Sequence, residues 1–521
     1  MQVVQDYYRF CPDQPKALLS DAICLGRRRS RYPQCPGCRF NDDASGEFGV
    51  VRPGPAASAN QSDAISQVFQ EHQVRGQYPD VLYEKAAWRI GHATALYLRS
   101  MLRGVDRGDP VATTVVGGRD MRDSSPALCA AFLDGARSTG ANVVDIGLID
   151  TPQLYFAVNH LRSCGGVQTT GSHLPADFNG FKIVGRGGRE VGEDSGLTDI
   201  FRIARNMVKH DTGQKGALRK LDLTHDYKAF IRGHLLAPKP LRVVVDASNG
   251  MAASWVEKLL GDVAGLELIC LNAQHEGRFA HPPDPLDDDN LGELCDRVRS
   301  EGADVGVCFD GDADQVVFVD QSGRIIRNDI MTALLARQLL GGSPGATVVY
   351  DLRSSRVVAE EIKAAGGVPR RERVGGAYIQ KALTESKGVF GGDLQGRFYF
   401  RENYCCDSGL LALVQVLNLL TQQAQPLGEL VSPLLRYVGV ERGYDVAKPE
   451  ACIRQLAKAY GDARVDFLDG ITVQKPDWWF NLRQDRATSQ LRLRLEATTS
   501  ELAEQTADEV GDRLAAVAAA R

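Results

Sequence analysis

Three times along this chain the same order recurs: a short β-branched run, a loop, a helical stretch and another short apolar run. The repeats lie around residues 111–184, 242–320 and 347–391. Strands that alternate with helices in this way predict parallel or mixed sheets covered by helices. In the first repeat "VATTVVGGRD" runs apolar into a glycine-rich turn. "SSPALCAAFLDGARSTG" then reads as a helix with Ser124 or Ser125 as its cap and Gly140 as its stop. Ahead of it, Leu82, Ala86, Ile90, Ala93 and Leu98 fall near helical spacing, so 82–101 reads as an amphipathic helix. From about residue 436 the pattern shortens and ends in the Ala-rich "ELAEQTADEVGDRLAAVAAA", which predicts a separate α+β unit. Polar breaks near 206–225, 321–329 and 436–449 mark candidate boundaries, and "VRPGPAASANQ" (51–61) reads as a linker.

A length of 521 residues accommodates three or four domains. Hydrophobic residues at 43% and charged residues at 24% exclude a disordered chain. A net charge of -5 leaves no general footprint for nucleic acid or an anionic membrane. The opening "MQVVQDYYRF" lacks the basic-then-apolar order of a signal peptide. The longest apolar run, 410–420, is broken by Gln415 and Asn418 and is too short to span a bilayer. The expectation is a soluble, cytoplasmic protein without a nucleic-acid or membrane partner; its oligomeric state is open.

Of twelve cysteines, eight are scattered through strand-like and helix-like segments and read as reduced core residues. Cys11, Cys24, Cys35 and Cys38 instead cluster near the N-terminus, the last two in the tight turn "CPGC". Two readings stay open for this 1–50 segment: a tetrahedral thiolate Zn²⁺ site, or free thiols on a flexible arm. The nearby "GRRRSR" (26–31) reads as a solvated basic stretch.

The chemistry is carried by "ADVGVCFDGDADQVVFVD" (303–320). One strand ends at Phe309 and the next begins at Val316, leaving Asp310, Asp312 and Asp314 at alternate positions between them. Three carboxylates so close repel one another unless a cation gathers them, and all-oxygen ligation suits Mg²⁺. A calcium EF-hand fails, because Gln315 stands where that loop needs glycine and Gln321 where it needs glutamate. "DPLDDDN" (284–290) reads as a solvated turn and helix start. The second feature is "QTTGSHLPADFNGFK" (168–182). Ser172 lacks the Gly-x-Ser-x-Gly elbow, and a serine hydroxyl alone is a weak nucleophile. Phosphoryl transfer suits it better, with Mg²⁺ holding a seryl phosphate and Lys182 offsetting negative charge.

"TTGSHLPADFNGFK", "VVVDASNGMAA", "FDGDADQ" and "GGDLQG" together resemble the α-D-phosphohexomutase superfamily, particularly its bacterial phosphomannomutase/phosphoglucomutase branch. The likeness extends over about residues 65–521. "VFQEHQVRG" (68–76) resembles the family's first active-site arginine loop, and "VVGGRDMRDSSP" (115–126) its following strand and turn. The resemblance implies an α/β, four-domain, heart-shaped architecture. Three similar α/β domains, at 62–215, 216–324 and 325–436, would carry the phosphoserine, metal and sugar-binding loops. A C-terminal α+β domain at 437–521 would carry a phosphate-binding loop. It further implies that Ser172 bears the phosphoryl group beside His173 and Lys182, and that Arg75 stabilises charge near it. Asp310, Asp312 and Asp314 would bind Mg²⁺, with phosphorylated Ser172 as a further ligand. The implied substrate is a phosphorylated hexose of mannose or glucose type. Hexose 1-phosphate and 6-phosphate would interconvert through a hexose bisphosphate, which also serves as activator.

The chain departs from that pattern where substrate is read. The metal loop ends in Gln315 instead of arginine. The sugar loop keeps a carboxylate in Asp393, but on a shorter stem; Gln395 can hydrogen-bond a hydroxyl, and Arg397 replaces a histidine. "RVGGAY" (373–378) has glycine at a polar family position. In the last loop Arg483 is kept and Asp485 replaces serine, with Arg486 available to compensate and Thr488 or Ser489 to supply a hydroxyl. The retained Ser172 and aspartate trio favour an enzyme. The rewritten phosphate loop and the added N-terminal segment favour the alternative, an impaired or inactive homologue acting as a sugar-phosphate sensor or assembly subunit.

Overall fold

The structure is a computed structural model, and it describes residues 8–11, 14–20, 65–70, 73–207, 214–275, 277–446, 448–485 and 490–519. Its β-branched runs are strands buried on both faces, as in Leu241–Asp246 ("LRVVVD") and Val305–Phe309 ("VGVCF"). Such strands need cover on both sides, and the intervening helices supply it.

Three mixed sheets share one plan. In the second, Leu241–Asp246 lies between Leu266–Leu271 and Val305–Phe309, parallel to both. Val305–Phe309 then turns back antiparallel into Val316–Asp320. In the third, Thr347–Asp351 lies between Val368–Glu372 and Phe390–Gly392 in parallel, and Phe390–Gly392 turns back into Phe398–Phe400. In the first, Val115–Arg119 lies between Val143–Leu148 and Gly165–Thr169 in parallel, and Gly165–Thr169 turns back into Phe178–Gly185. The same turn, after the third strand of the motif, thus carries Ser172 in one sheet, Asp310–Asp314 in the next and Asp393–Arg397 in the last. A shared topology delivers three loops of different chemistry from equivalent positions.

The α+β unit expected after residue 436 is a five-stranded antiparallel sheet, Val438–Tyr444 to Leu491–Ala497, with the helices Pro449–Lys458 and Ser500–Ala519. It has its own apolar core around Ile471, Phe480 and Leu493. A single larger core runs through the first three sheets, from Leu154 through Trp255 and Phe318 to Phe390 and Leu413. Each fully buried large side chain of that kind contributes about 1.5–3 kcal/mol. The apolar run 410–420 lies in the helix Gly409–Gln422, which is nearly all buried and is capped by Ser408 Oγ accepting from Leu411 N at 3.1 Å. Among the described residues no helix is long and apolar enough to cross a membrane.

One local expectation changes. The helix Ser125–Arg137 takes no side-chain cap from Ser124. Both serine hydroxyls instead accept from Asn179 Nδ2, at 2.7 and 2.9 Å, and Ser125 Oγ donates to Asp120. A tertiary contact to the Ser172 loop's exit strand has displaced the local one. In the Cys-rich segment, Tyr8–Cys11 and Gln14–Ser20 pair as an antiparallel hairpin. Cys24, Cys35 and Cys38 lie outside the described residues, as does the Cys11 side chain, and so does the zinc question.

Candidate active site

Ser172 is 2% exposed and sits at φ +50°, a left-handed conformation that costs a non-glycine residue about 1–2 kcal/mol. What holds it there is Arg122. Nη2 of this fully buried side chain donates to the carbonyls of Ser172 (2.8 Å) and Leu174 (2.6 Å), and Nη1 to those of Phe178 (3.0 Å) and Pro175. Its Nε lies 3.3 Å from Asp120 Oδ2, which accepts from Gly171 N at 3.2 Å. A Cβ at residue 171 would stand 2.4 Å from the Arg122 guanidinium carbon, so only glycine fits beside it. Sequence reading missed Arg122; a second arginine closing "GGRDMRD" at the end of an apolar strand was the available signal.

The acidic turn joins Val305–Phe309 to Val316–Asp320, with Ala313 also left-handed at φ +59°. Asp310 Oδ1 accepts from the backbone N–H of Asp314 and of Gln315, each at 3.1 Å, which curls the loop. Asp312 Oδ2 accepts from Thr151 Oγ1 at 2.6 Å and pairs with Lys182 Nζ at 2.8 Å; Lys182 also pairs with Asp314 Oδ2. Thr151, likewise missed from sequence, opens the helix Thr151–His160 on the first sheet's side. The three carboxylates are fully buried and offer oxygens within 4.8 Å of one another. Burial, with repulsion from Asp312 and Asp314, pushes Asp310 well above the usual carboxylate range. Against the same burial, Lys182 holds Asp312 far below it, and the two aspartates raise Lys182 in return. Asp312 Oδ1 and Asp314 Oδ1 are buried without a hydrogen-bond donor among the described residues. Orphaned carboxylate oxygens are costly, and an all-oxygen set of this kind fits a hard divalent cation.

The two loops meet at the hydroxyl. Ser172 Oγ donates to Asp310 Oδ2 at 2.7 Å, and His173 Nδ1 stands 3.4 Å from the same oxygen atom of serine. Gly311 permits the approach, since a Cβ there would fall 2.4 Å from the Ser172 carbonyl oxygen. Burial lowers His173 below the ordinary imidazole value. Arg75, on the edge strand Val74–Gln77, donates from Nη1 to Thr170 O at 2.9 Å, while its buried Nε and Nη2 have no hydrogen-bond partner among the described residues. Burial brings Arg75 down to about 10, so it stays cationic at neutral pH. Two unspent, buried N–H groups of a guanidinium suit an anion.

The sugar loop packs against this centre, and several of its polar groups bond to one another. Asp393 Oδ1 accepts from the backbone N–H of Gln395 (2.9 Å) and Arg397 (3.0 Å), and Oδ2 from Tyr399 Oη at 3.3 Å. The short-stemmed carboxylate braces its own loop. Arg397 donates to Gln395 Oε1 at 2.7 Å and reaches towards Asp314 and Asp407. In the last domain burial, followed by the charge of Arg353 beyond the strand Thr347–Asp351, lowers the pKa of Arg483. Asp485 Oδ2 lies 3.4 Å from Arg492 Nε. Arg486 and Thr488 are outside the described residues.

Comparison with known proteins follows the same division of the chain. Residues 66–209 match the family described as Phosphoglucomutase/phosphomannomutase, alpha/beta/alpha domain I. Residues 225–323 match its domain II and 327–437 its domain III. A protein of Xanthomonas campestris pv. campestris named "Phosphohexose mutases" is 34% identical over 439 residues, covering 82% of this chain and 94% of its own. The "Phosphomannomutase/phosphoglucomutase" of Pseudomonas aeruginosa is 31% identical over 466 residues, covering 86% and 96%. The crystal structure of a family protein from Burkholderia thailandensis aligns with a TM-score of 0.78 at 30% identity, covering 86% of this chain and 97% of that one.

Proposed function

The chain belongs to the phosphoglucomutase/phosphomannomutase family and is a phosphohexomutase, and we propose that it works through a phosphorylated Ser172. The reaction interconverts hexose 1-phosphate and hexose 6-phosphate of mannose or glucose type. The observation that carries the serine assignment is the 2.7 Å bond from Ser172 Oγ to Asp310 inside a pocket that also holds Lys182 and Arg75.

In this reading Asp310 takes the hydroxyl proton as Ser172 Oγ attacks the phosphorus of a sugar phosphate, while the P–O bond to the sugar breaks and the sugar oxygen leaves with its electron pair and takes up a proton; in the reverse direction a sugar hydroxyl forms the new P–O bond and gives up its proton, and the serine oxygen leaves with its electron pair and regains one. Asp310, Asp312 and Asp314, with the seryl phosphate, would hold Mg²⁺, which supplies Lewis-acid stabilisation of phosphoryl charge when bound. Lys182 holds two of those carboxylates in place, and Arg75 meets the phosphoryl oxygens with its unspent N–H groups. Asp393, Gln395 and Arg397 would meet the sugar, and Arg483, with Arg486 and Thr488, the phosphate that is not being transferred. A hexose bisphosphate loads the serine and is the intermediate that turns over in the pocket.

Incubation with Mg²⁺, a hexose bisphosphate and a panel of hexose 1-phosphates, followed by phosphorus NMR, tests this directly. Conversion of at least one sugar to its 6-phosphate, lost in Ser172→Ala, is the expected result. Conversion that persists in Ser172→Ala would remove the serine from the mechanism.

A further inference from the structure

We propose that Arg397 is a positioning residue that joins the sugar loop to the metal loop and brings positive charge to the phosphoryl-transfer site. This rests on the phosphoserine reading above and gives the sugar loop a second task besides sugar recognition.

The two loops are in direct contact. Val316 N, at the exit of the acidic turn, donates to Gly396 O at 2.9 Å. Gly396 is at φ +76°, and a Cβ there would stand 2.6 Å from Val316 O, so the approach depends on glycine. The neighbouring Arg397 is thereby set against the metal loop. Its side chain is 17% exposed, with Nε 3.8 Å from Asp314 Oδ1 and 3.5 Å from Asp407 Oδ2. Nη1 is spent on Gln395 Oε1 at 2.7 Å, which fixes the plane of the guanidinium. One fork therefore touches a sugar-loop amide on one side and a metal-loop carboxylate on the other.

Charge balance gives the contact its meaning. Four buried carboxylates converge here: Asp310, Asp312, Asp314 and Asp407. Lys182 is committed to Asp312 Oδ2 and Asp314 Oδ2. Arg397 is the cation that faces the other oxygen of Asp314, which has no hydrogen-bond donor, and Asp407. The metal loop's own next residue, Gln315, is buried and neutral, and its Oε1 has no hydrogen-bond partner among the described residues. When the phosphoryl group passes to the sugar, the P–Oγ bond breaks and its electron pair returns to Ser172 Oγ, which is protonated. The attacking sugar hydroxyl forms the new P–O bond and gives up its proton. Positive charge beside the acidic trio offsets what builds on the phosphoryl oxygens, and here one of the cations that face the trio comes from the sugar loop itself.

Arg397→Met and Arg397→Lys separate charge from fit. Full-length proteins are loaded with glucose 1,6-bisphosphate and Mg²⁺, then mixed with mannose 1-phosphate and separately with glucose 1-phosphate. Loss of the about 80 Da seryl phosphate is followed in a single turnover across sugar-phosphate concentrations. Arg397→Met is expected to slow transfer at saturating sugar phosphate by about 10²–10³-fold, and Arg397→Lys to restore it to within about tenfold of wild type. If the Met protein fails to fold by circular dichroism, Arg397→Gln, which keeps a donor for Gln395, is the neutral variant. A neutral variant that weakens binding while transferring at the wild-type rate overturns the inference, as does a Lys variant no faster than Met. A wild-type protein that loads phosphate but shows it on another residue overturns the phosphoserine reading first, and the inference with it.

Discussion

Ser172 Oγ and Asp310 Oδ2 lie 2.7 Å apart although 138 residues separate them in the chain. Each is at the tip of the same turn in two sheets of like topology, so the contact is made by the packing of one unit on the next. Asp310→Asn keeps the shape of that contact and removes its capacity to take a proton or hold a cation firmly. The expected result is a fall in serine phosphorylation by about 10²–10³-fold, measured as the rate of mass gain with hexose bisphosphate.

Lys182 stands between Asp312 and Asp314 with little solvent, and removing one member of a buried ion pair costs about 3–5 kcal/mol. Lys182→Met should therefore unfold at lower temperature than wild type in EDTA. Because a cation bound by the folded trio offsets the same charge, Mg²⁺ should recover more of that loss in the variant than it adds to wild type. No Mg²⁺ shift in either protein would contradict the assignment of the trio as a metal site.

Arg122 holds the Ser172 loop through four carbonyls, a task that requires a planar fork. Arg122→Lys keeps the charge but reaches fewer of them, and it is expected to lower kcat by about 10–100-fold at nearly constant KM. Steady-state kinetics checks this; an unchanged kcat would reduce Arg122 to a packing residue.

These cases mark what was legible in the sequence. The boundaries at Phe309 and Val316 were, because valine-rich runs end abruptly at charged, glycine-containing turns. So were the aspartate trio and Ser172, whose residue types have few other uses together. Arg122 was not, because its partners are backbone carbonyls about fifty residues further on, and carbonyls leave no mark in a sequence. Ser124 and Ser125 read as caps for the converse reason: local pattern cannot see Asn179 arriving from another strand. The bracing of the sugar loop by Asp393 was not legible, because its partners are the backbone N–H groups of Gln395 and Arg397 and the Tyr399 hydroxyl, contacts that leave no pattern in a sequence.

Burial pushes Asp393 up to about 6 from the ordinary 3.8. Between those values the folded protein holds a proton that the unfolded chain has released. Its contribution to stability is therefore full below about pH 4 and is lost as pH rises to about 6, with a slope of at most about 1.4 kcal/mol per unit. Urea unfolding at pH 4–7 should show that slope in wild type and a flatter profile in Asp393→Asn.

Asp485 would oppose a phosphate in the last loop, but Arg492 at 3.4 Å partly neutralises it. Asp485→Ser should lower KM for the sugar phosphate by about three- to tenfold, less than removal of an unpaired carboxylate would. A rise in KM would mean that the carboxylate itself contacts substrate.

The most direct measurement is the intact mass of the full-length protein after exposure to hexose bisphosphate and Mg²⁺, followed by peptide mapping. One added phosphoryl group, about 80 Da, on the peptide containing Ser172 and none on Ser172→Ala is the expected outcome. An unphosphorylated wild type, or the same gain in Ser172→Ala, would contradict the account.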